Sequence, residues 1–248
     1  MRNIERKVTL GIDRAATAAV RWAPTTVGAD VSEELFAAIE SGDAARVQAL
    51  VAAHPSLASA RNDGGTSAVL VARYRGDTEA VETLVAAGAD LDVFDAAALG
   101  RTDRLGDALD ADPALVDAVA ADGFTPLQLA AFFGQPEAAA LLLARGASPA
   151  GASHNAMAVH ALNAAAAGRH ADIVALLLDA GADPEARQHG GYTPLMSAAA
   201  SGDEVAVDAL LAAGADPRAR GDDGTDAATL ADQRGHPALA ERLRALDA

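Results

Sequence analysis

Cysteine is absent from the 248 residues, which excludes disulfides, thiolate nucleophiles and cysteine-bound zinc. Lysine occurs once, as Lys7, and basic residues total 19 against 35 acidic ones, a net charge of −16. An anionic surface of that size repels phosphate backbones, so neither general nucleic-acid binding nor adhesion to an anionic membrane is expected. No apolar run approaches the roughly 20 residues that span a bilayer. In the opening stretch MRNIERKVTLGIDRAATAAVRWAP, Asp13 and Arg14 interrupt the segment after Leu10, which makes it a poor secretory signal. The expectation is a soluble cytoplasmic protein. Phosphate-cradling loops of the GxGxxG and GK[ST] types are missing, and so are GxSxG and HExxH.

What the chain has in excess is small residues: 67 alanines, 22 glycines and 10 prolines. Arginine in place of lysine, in so alanine-rich a chain, suggests a GC-rich bacterial genome. The strings LLLARGASP (141–149), LLLDAGADP (176–184) and LLAAGADPR (210–218) recur, preceded by VAAGADLD (85–92). Their last two glycine spacings, Gly146 to Gly181 and Gly181 to Gly214, are 35 and 33 residues. A second string, DGFTPLQLAAFFG (122–134), returns as GGYTPLMSAAASG (190–202), with weaker copies at 62–76, 158–170 and 222–236.

At these residues the chain resembles the ankyrin-repeat family, whose period is about 33 and whose signature is T-P-L-H-x-A. The resemblance implies an all-α solenoid of about seven helix-turn-helix units with short β-hairpin fingers between them. The units run approximately 31–61, 62–92, 93–120, 121–150, 151–187, 188–220 and 221–248. Residues 1–30 fit no repeat and carry a net charge of +2. They read as a disordered tail, with an extra cap or a misassigned start codon as alternatives, and Trp22 is a candidate to fold back on the first unit.

Local chemistry agrees with the repeat. Thr125 and Thr193 are good N-caps, and Pro126 and Pro194 follow at the first helical position, which needs no amide. Leu127, Ala130 and Ala131 predict a narrow apolar stripe, and Leu141, Leu142 and Leu143 the buried face of a second helix. Gly134 and Gly146 end the two helices. A helix pair this small cannot bury its own face, so neighbouring pairs supply the core. Units 1 and 3 depart from the pattern, ending in HPSLASA and DPALVDA. A shift of 58 aligns Gly76 with Gly134, Gly88 with Gly146 and Pro55 with Pro113, so 31–92 and 93–149 look like a duplicated module. Too few residues separate Gly88 from VFDAAALG (93–100) for a finger, and one is expected to be missing there.

The histidine of T-P-L-H, which ties adjacent fingers in the family, is replaced by Gln128, Asn163 and Met196, with Leu70 and Thr229 in the weaker copies. Gln128 and Asn163 retain a donor and Met196 does not. In unit 5, His160 and Ala161 stand where Thr-Pro is expected, which predicts the weakest helix start. Asp63, Asp122, Asp222 and Asp223 lie in fingers, where turn formation and solubility explain them better than acid–base chemistry, for which a desolvated cleft is needed.

The family's concave surface is built from finger bases and the exposed ends of inner helices. Carried over by position, it comprises Tyr74, Arg75, Phe124, Phe132, Phe133 and Tyr192, with Met157, His189 and Arg234 completing the expected binding set. Phe36 and Phe94 are assigned to the core, and Asp122 to an acidic rim. The function implied is a non-catalytic protein–protein interaction module, a monomer whose partner is another protein, with no cofactor, nucleic acid or membrane. The alternatives are a metal- or small-molecule-dependent enzyme or binder using His154, His160 and His189, and a self-associating structural unit.

Overall fold

The computed structural model describes residues 27–246, with side chains from Val31. Its helices alternate between an inner and an outer row. The inner row is α1 (Val27–Ser41), α3 (Ala68–Arg75), α5 (Val93–Leu99), α7 (Pro126–Phe133), α9 (Ala161–Gly168), α11 (Pro194–Ser201) and α13 (Ala227–Gln233). The outer row is α2 (Ala44–Ala53), α4 (Thr78–Ala86), α6 (Thr102–Ala111), α8 (Pro136–Ala144), α10 (Ala171–Asp179), α12 (Glu204–Ala212) and α14 (Pro237–Ala245). Each inner helix packs on the inner helices before and after it, and on its own outer partner. Helix α1 begins at Val27, before the expected start of the first unit at 31.

The sandwiched position of the inner helices explains the alanines. In α7 every residue from Pro126 to Ala131 is buried, so the apolar surface is not a narrow stripe but the whole circumference. Helices α9 and α11 repeat this over 161–166 and 194–200. A helix buried on all sides needs small side chains where its neighbours come close, and alanine adds the best helix propensity. Outer helices bury one face only. In α8, Leu142 is fully buried while Leu141 and Leu143 are half-exposed flanks, so the three leucines do not form one face.

Helix starts follow the cap chemistry. Thr125 Oγ1 accepts the Gln128 amide while Gln128 Oε1 accepts the Thr125 amide, a reciprocal capping box. Thr193 Oγ1 accepts the Met196 amide. His160 has the same extended backbone, φ −88° and ψ 152°, but contributes no cap bond. Gly134 closes α7 with φ +69°, and a Cβ there would lie 2.3 Å from the His170 ring. His236 covers Gly202 in the same way, so both rings are inter-repeat packing elements at outer-helix starts.

The fingers differ from expectation. No β-strand forms among the described residues; three isolated antiparallel bridges, Arg61–Ser67, Ala152–His160 and Arg220–Asp226, are all the strand pairing present. These connections are too short for a ladder, and other bonds hold them. Arg61 and Arg220 donate to the carbonyls of Gly65 and Gly224, and Arg187 to that of Gly191, four residues on in each case. Backbone bonds tie successive fingers: His154 N to Gly123 O, His189 N to Met157 O, and Asp222 N to Gly190 O, at 2.8–2.9 Å. Residues 89–92 form no bridge, and Asp92 caps α5 directly.

The 58-residue correspondence recurs in bonds. Asp90 N donates to Ser59 Oγ, and 58 positions on, Ser148 N donates to Asp117 Oδ1. Short 3-10 helices at Pro55–Ser59 and Pro113–Asp117 replace the glycine turns of the other units.

Candidate functional site

The ends of α3 and α7 and the start of α5 converge on one aromatic cluster. Phe132 and Phe133 meet edge to face with centroids 4.9 Å apart, and Tyr74 lies 6.1 Å from the first and 5.3 Å from the second. Adjacent helical residues diverge by roughly 100°, so both phenylalanines cannot enter one core. Tyr74 instead bridges them from α3, two repeats away. Beneath the rings Leu70, Ala98 and Leu129 form a fully buried floor, flanked by Tyr74, Phe94, Phe124 and Phe133. All four flanking residues, and Phe132, are half-buried, so part of each remains accessible.

Arg73 completes the cluster. Its guanidinium sits 4.9 Å from the Phe133 centroid and donates to the carbonyls of Ala98 and Phe133. Burial lowers its pKa from the usual arginine value. Tyr74 Oη donates to Asp122 Oδ2 at 2.7 Å, and Asp122 Oδ1 takes the Phe124 amide. Burial first, then the Asp122 carboxylate, pushes the Tyr74 phenol well above its ordinary range. A contact from residue 74 to residue 122 skips a repeat; the finger absent at 89–92 leaves it room.

Several sequence assignments change here. Asp122 is not a free acidic rim, since both oxygens are engaged. Phe94 sits at the edge of the core: it occupies the second helical position, where Leu127, Leu162 and Leu195 stand in other units, packs against the main core and also joins the cluster. Arg75 is exposed and forms no hydrogen bond or ion pair; Arg73 makes the ring contact instead. Tyr192 does not flank the cluster. Its hydroxyl donates to Asp223 Oδ2 at 3.0 Å in the finger of unit 7. Burial and that bond raise its pKa, while the nearby Arg234 charge lowers it. Tyr192 and Arg234 therefore form a second, separate group, and Met157 and His189 share the backbone bond between fingers 5 and 6.

Sequence reasoning missed Arg73 and the Leu70–Leu129 floor. Aligning α5 with the other inner helices at the cap would have flagged Phe94 as an aromatic in a leucine position. Nothing local distinguishes Arg73 from Arg75.

The histidines do not converge on a metal geometry. Among the described residues no three His, Cys, Asp or Glu side chains are grouped to hold an ion. His154 and His189 use their backbone amides in finger ties while their rings are exposed. His160 lines a crevice of about 420 Å³ with Leu162, Glu185 and Arg187. Among the described residues no helix is long and apolar enough to cross a membrane.

A family model described as "Ankyrin repeats (3 copies)" matches residues 35–151, 94–188 and 148–221. The chain belongs to the ankyrin-repeat family. Ankyrin repeats are generally protein–protein interaction modules, and the family is typically non-enzymatic. In this ankyrin array the histidine position of the signature is divided among several solutions. Gln128 Nε2 donates forward to Gly151 O and Val159 O, and Asn163 Nδ2 to Tyr192 O. Met196 is buried without such a bond, and the Gly190–Asp222 backbone tie holds the next finger.

Proposed function

We propose that this ankyrin array is a non-catalytic, cytoplasmic interaction module, a monomer on its own, that seats a protein partner on its concave face. The partner rests on the ring edges of Tyr74, Phe132 and Phe133, with Arg75 and Phe124 beside them and the Tyr192–Arg234 group as a second contact. One observation carries the reading. In an array with seven aromatics outside the leader, five gather at one place on three successive inner helices and a finger base, each only half-buried. Aromatics and arginine supply most anchor energy at interfaces.

The test uses Phe132→Ala and Arg75→Ala, singly, in a pull-down from source-organism lysate followed by affinity measurement on the partner recovered. Loss of a central aromatic anchor costs about 2 kcal/mol, roughly thirtyfold in affinity. Wild-type affinity in both variants, with folding intact by circular dichroism, places the interface elsewhere on the solenoid.

A further inference from the structure

The stack has a seam between the second and third repeats. One hydrophobic core runs from Leu35 to Leu84 and another from Val93 to Leu243, and Leu70, Ala98 and Leu129 lie between them in a small cluster of their own. On the outer side a crevice of about 250 Å³ opens between α4 and the α5–α6 turn, lined by Val81, Val85, Leu99 and Arg101 among others. On the finger side residues 89–92 supply no hairpin. Across this seam stands a buried acid. Asp95, 1% exposed, occupies the third position of α5, which Gln128 and Asn163 hold in α7 and α9. Those amides bond forward to the next finger. Asp95 bonds backward: its Oδ1 accepts from Ser67 Oγ, the N-cap of α3, and its Oδ2 accepts the Asp92 amide.

We propose that the Asp95 carboxyl is a proton-operated latch on this seam. Protonated, it lets the first two repeats close on the third; ionised, it loosens them and, with them, the α3 half of the aromatic cluster. The physical reason is the cost of burying a carboxylate that has two hydrogen-bond donors but no cation paired to it. The charged groups facing it are few. Asp92 stands on its own loop, and Arg61, from the preceding finger, is ion-paired to Asp92 at 2.7 Å and not to Asp95. Helix α7 carries no charge from Pro126 to Phe133. On α3, Arg73 and Arg75 lie at the far end, and on α6 Asp103, Arg104, Asp107 and Asp110 are exposed. Burial, and next the Asp92 charge, raise the Asp95 pKa to about 7, against the downward pull of Ser67, the Asp92 amide and Arg61.

The sign follows from linkage. The folded form holds the proton more tightly than the open form, whose aspartate has the ordinary value of 3.8. The carboxyl's contribution is therefore full below 3.8, declines as pH rises, and is gone once pH passes about 7. Between pH 5.5 and 8.5 the open population of the first two repeats rises about thirtyfold from this group alone.

Amide hydrogen exchange of the full chain, corrected for intrinsic rates, tests it at those two pH values. Wild type should show the thirtyfold loss of protection in α1–α4 and a much smaller one in α8–α12. Asp95→Asn, which keeps shape without charge, should abolish the difference. An equal pH effect in Asp95→Asn, or none in wild type, overturns the latch. A second readout needs no variant: the carboxyl ¹³C shift of Asp95 should titrate with a midpoint above 6, and a midpoint below 6 overturns the proposal.

Discussion

Restoring the threonine–proline start in the fifth repeat, His160→Thr with Ala161→Pro, should stabilise the array by about 1–2 kcal/mol. His160 already holds the backbone of a cap, φ −88° and ψ 152°, against −88° and 162° at Thr125 and −90° and 164° at Thr193. A threonine hydroxyl there meets the Asn163 amide without rearrangement, a bond worth about 1 kcal/mol. Ala161 is the first helical residue, whose amide has no intrahelical acceptor, so proline removes no helical bond and trims the unfolded ensemble by about 0.4–1 kcal/mol. Against this stands the loss of a half-buried imidazole over the crevice, a few tenths of a kcal/mol, offset in part because its buried Nδ1 has no partner. Thermal unfolding followed by circular dichroism should move up by roughly 2–6 °C for a chain of this size. The single variants should each contribute part. A double variant that melts lower would show that the His160 ring holds the repeat in a way the cap geometry does not reveal, and the reasoning would fail.

Arg169 adopts φ +63° at the end of α9, where Gly76, Gly100, Gly134 and Gly202 serve four of the other inner helices. Arg169→Gly should gain about 0.5–1 kcal/mol in urea unfolding despite losing the bond to Ser201 O; a loss refutes the strain argument. Gln128→Met should cost about 2 kcal/mol, because the Gly151 carbonyl loses this donor, Val159 O keeps only the Ser153 amide and the Thr125 amide loses its capping-box acceptor, and an effect under about 0.5 kcal/mol would mean that the finger ties carry the load. Tyr74→Phe keeps the ring and removes the hydroxyl from Asp122, so it should cost about 1 kcal/mol of stability with aromatic packing unchanged; near-ultraviolet circular dichroism and urea midpoints check both halves.

Helix starts were legible because they are local. Thr125-Pro126 and Thr193-Pro194 set their own backbone and cap, whatever surrounds them. The doubling of units 1–2 in units 3–4 was equally plain, from glycine and proline positions alone. Expected hairpin fingers, by contrast, came out as single bridges at Arg61–Ser67, Ala152–His160 and Arg220–Asp226, or in the Arg187 finger as a turn with no bridge. Whether a short connection pairs as strand or is clamped by a guanidinium depends on carbonyls four residues away and on the adjoining finger.

The sequence by itself determined the repeat, its period, the order of inner and outer helices and the absent finger, since each is a property of residues within about one unit. It also placed Phe132 and Phe133 together, as neighbours in the chain. Only the tertiary structure decided what surrounds them. That Tyr74 reaches Asp122, that Arg73 and not Arg75 covers Phe133, and that Phe94 joins the core to the aromatic cluster all follow from how the repeats stack. The same holds for Asp95. Its neighbours Asp92 and Ser67 are written in the chain, but its burial between two hydrophobic cores, and so its hold on the proton, arises only when the repeats close over it.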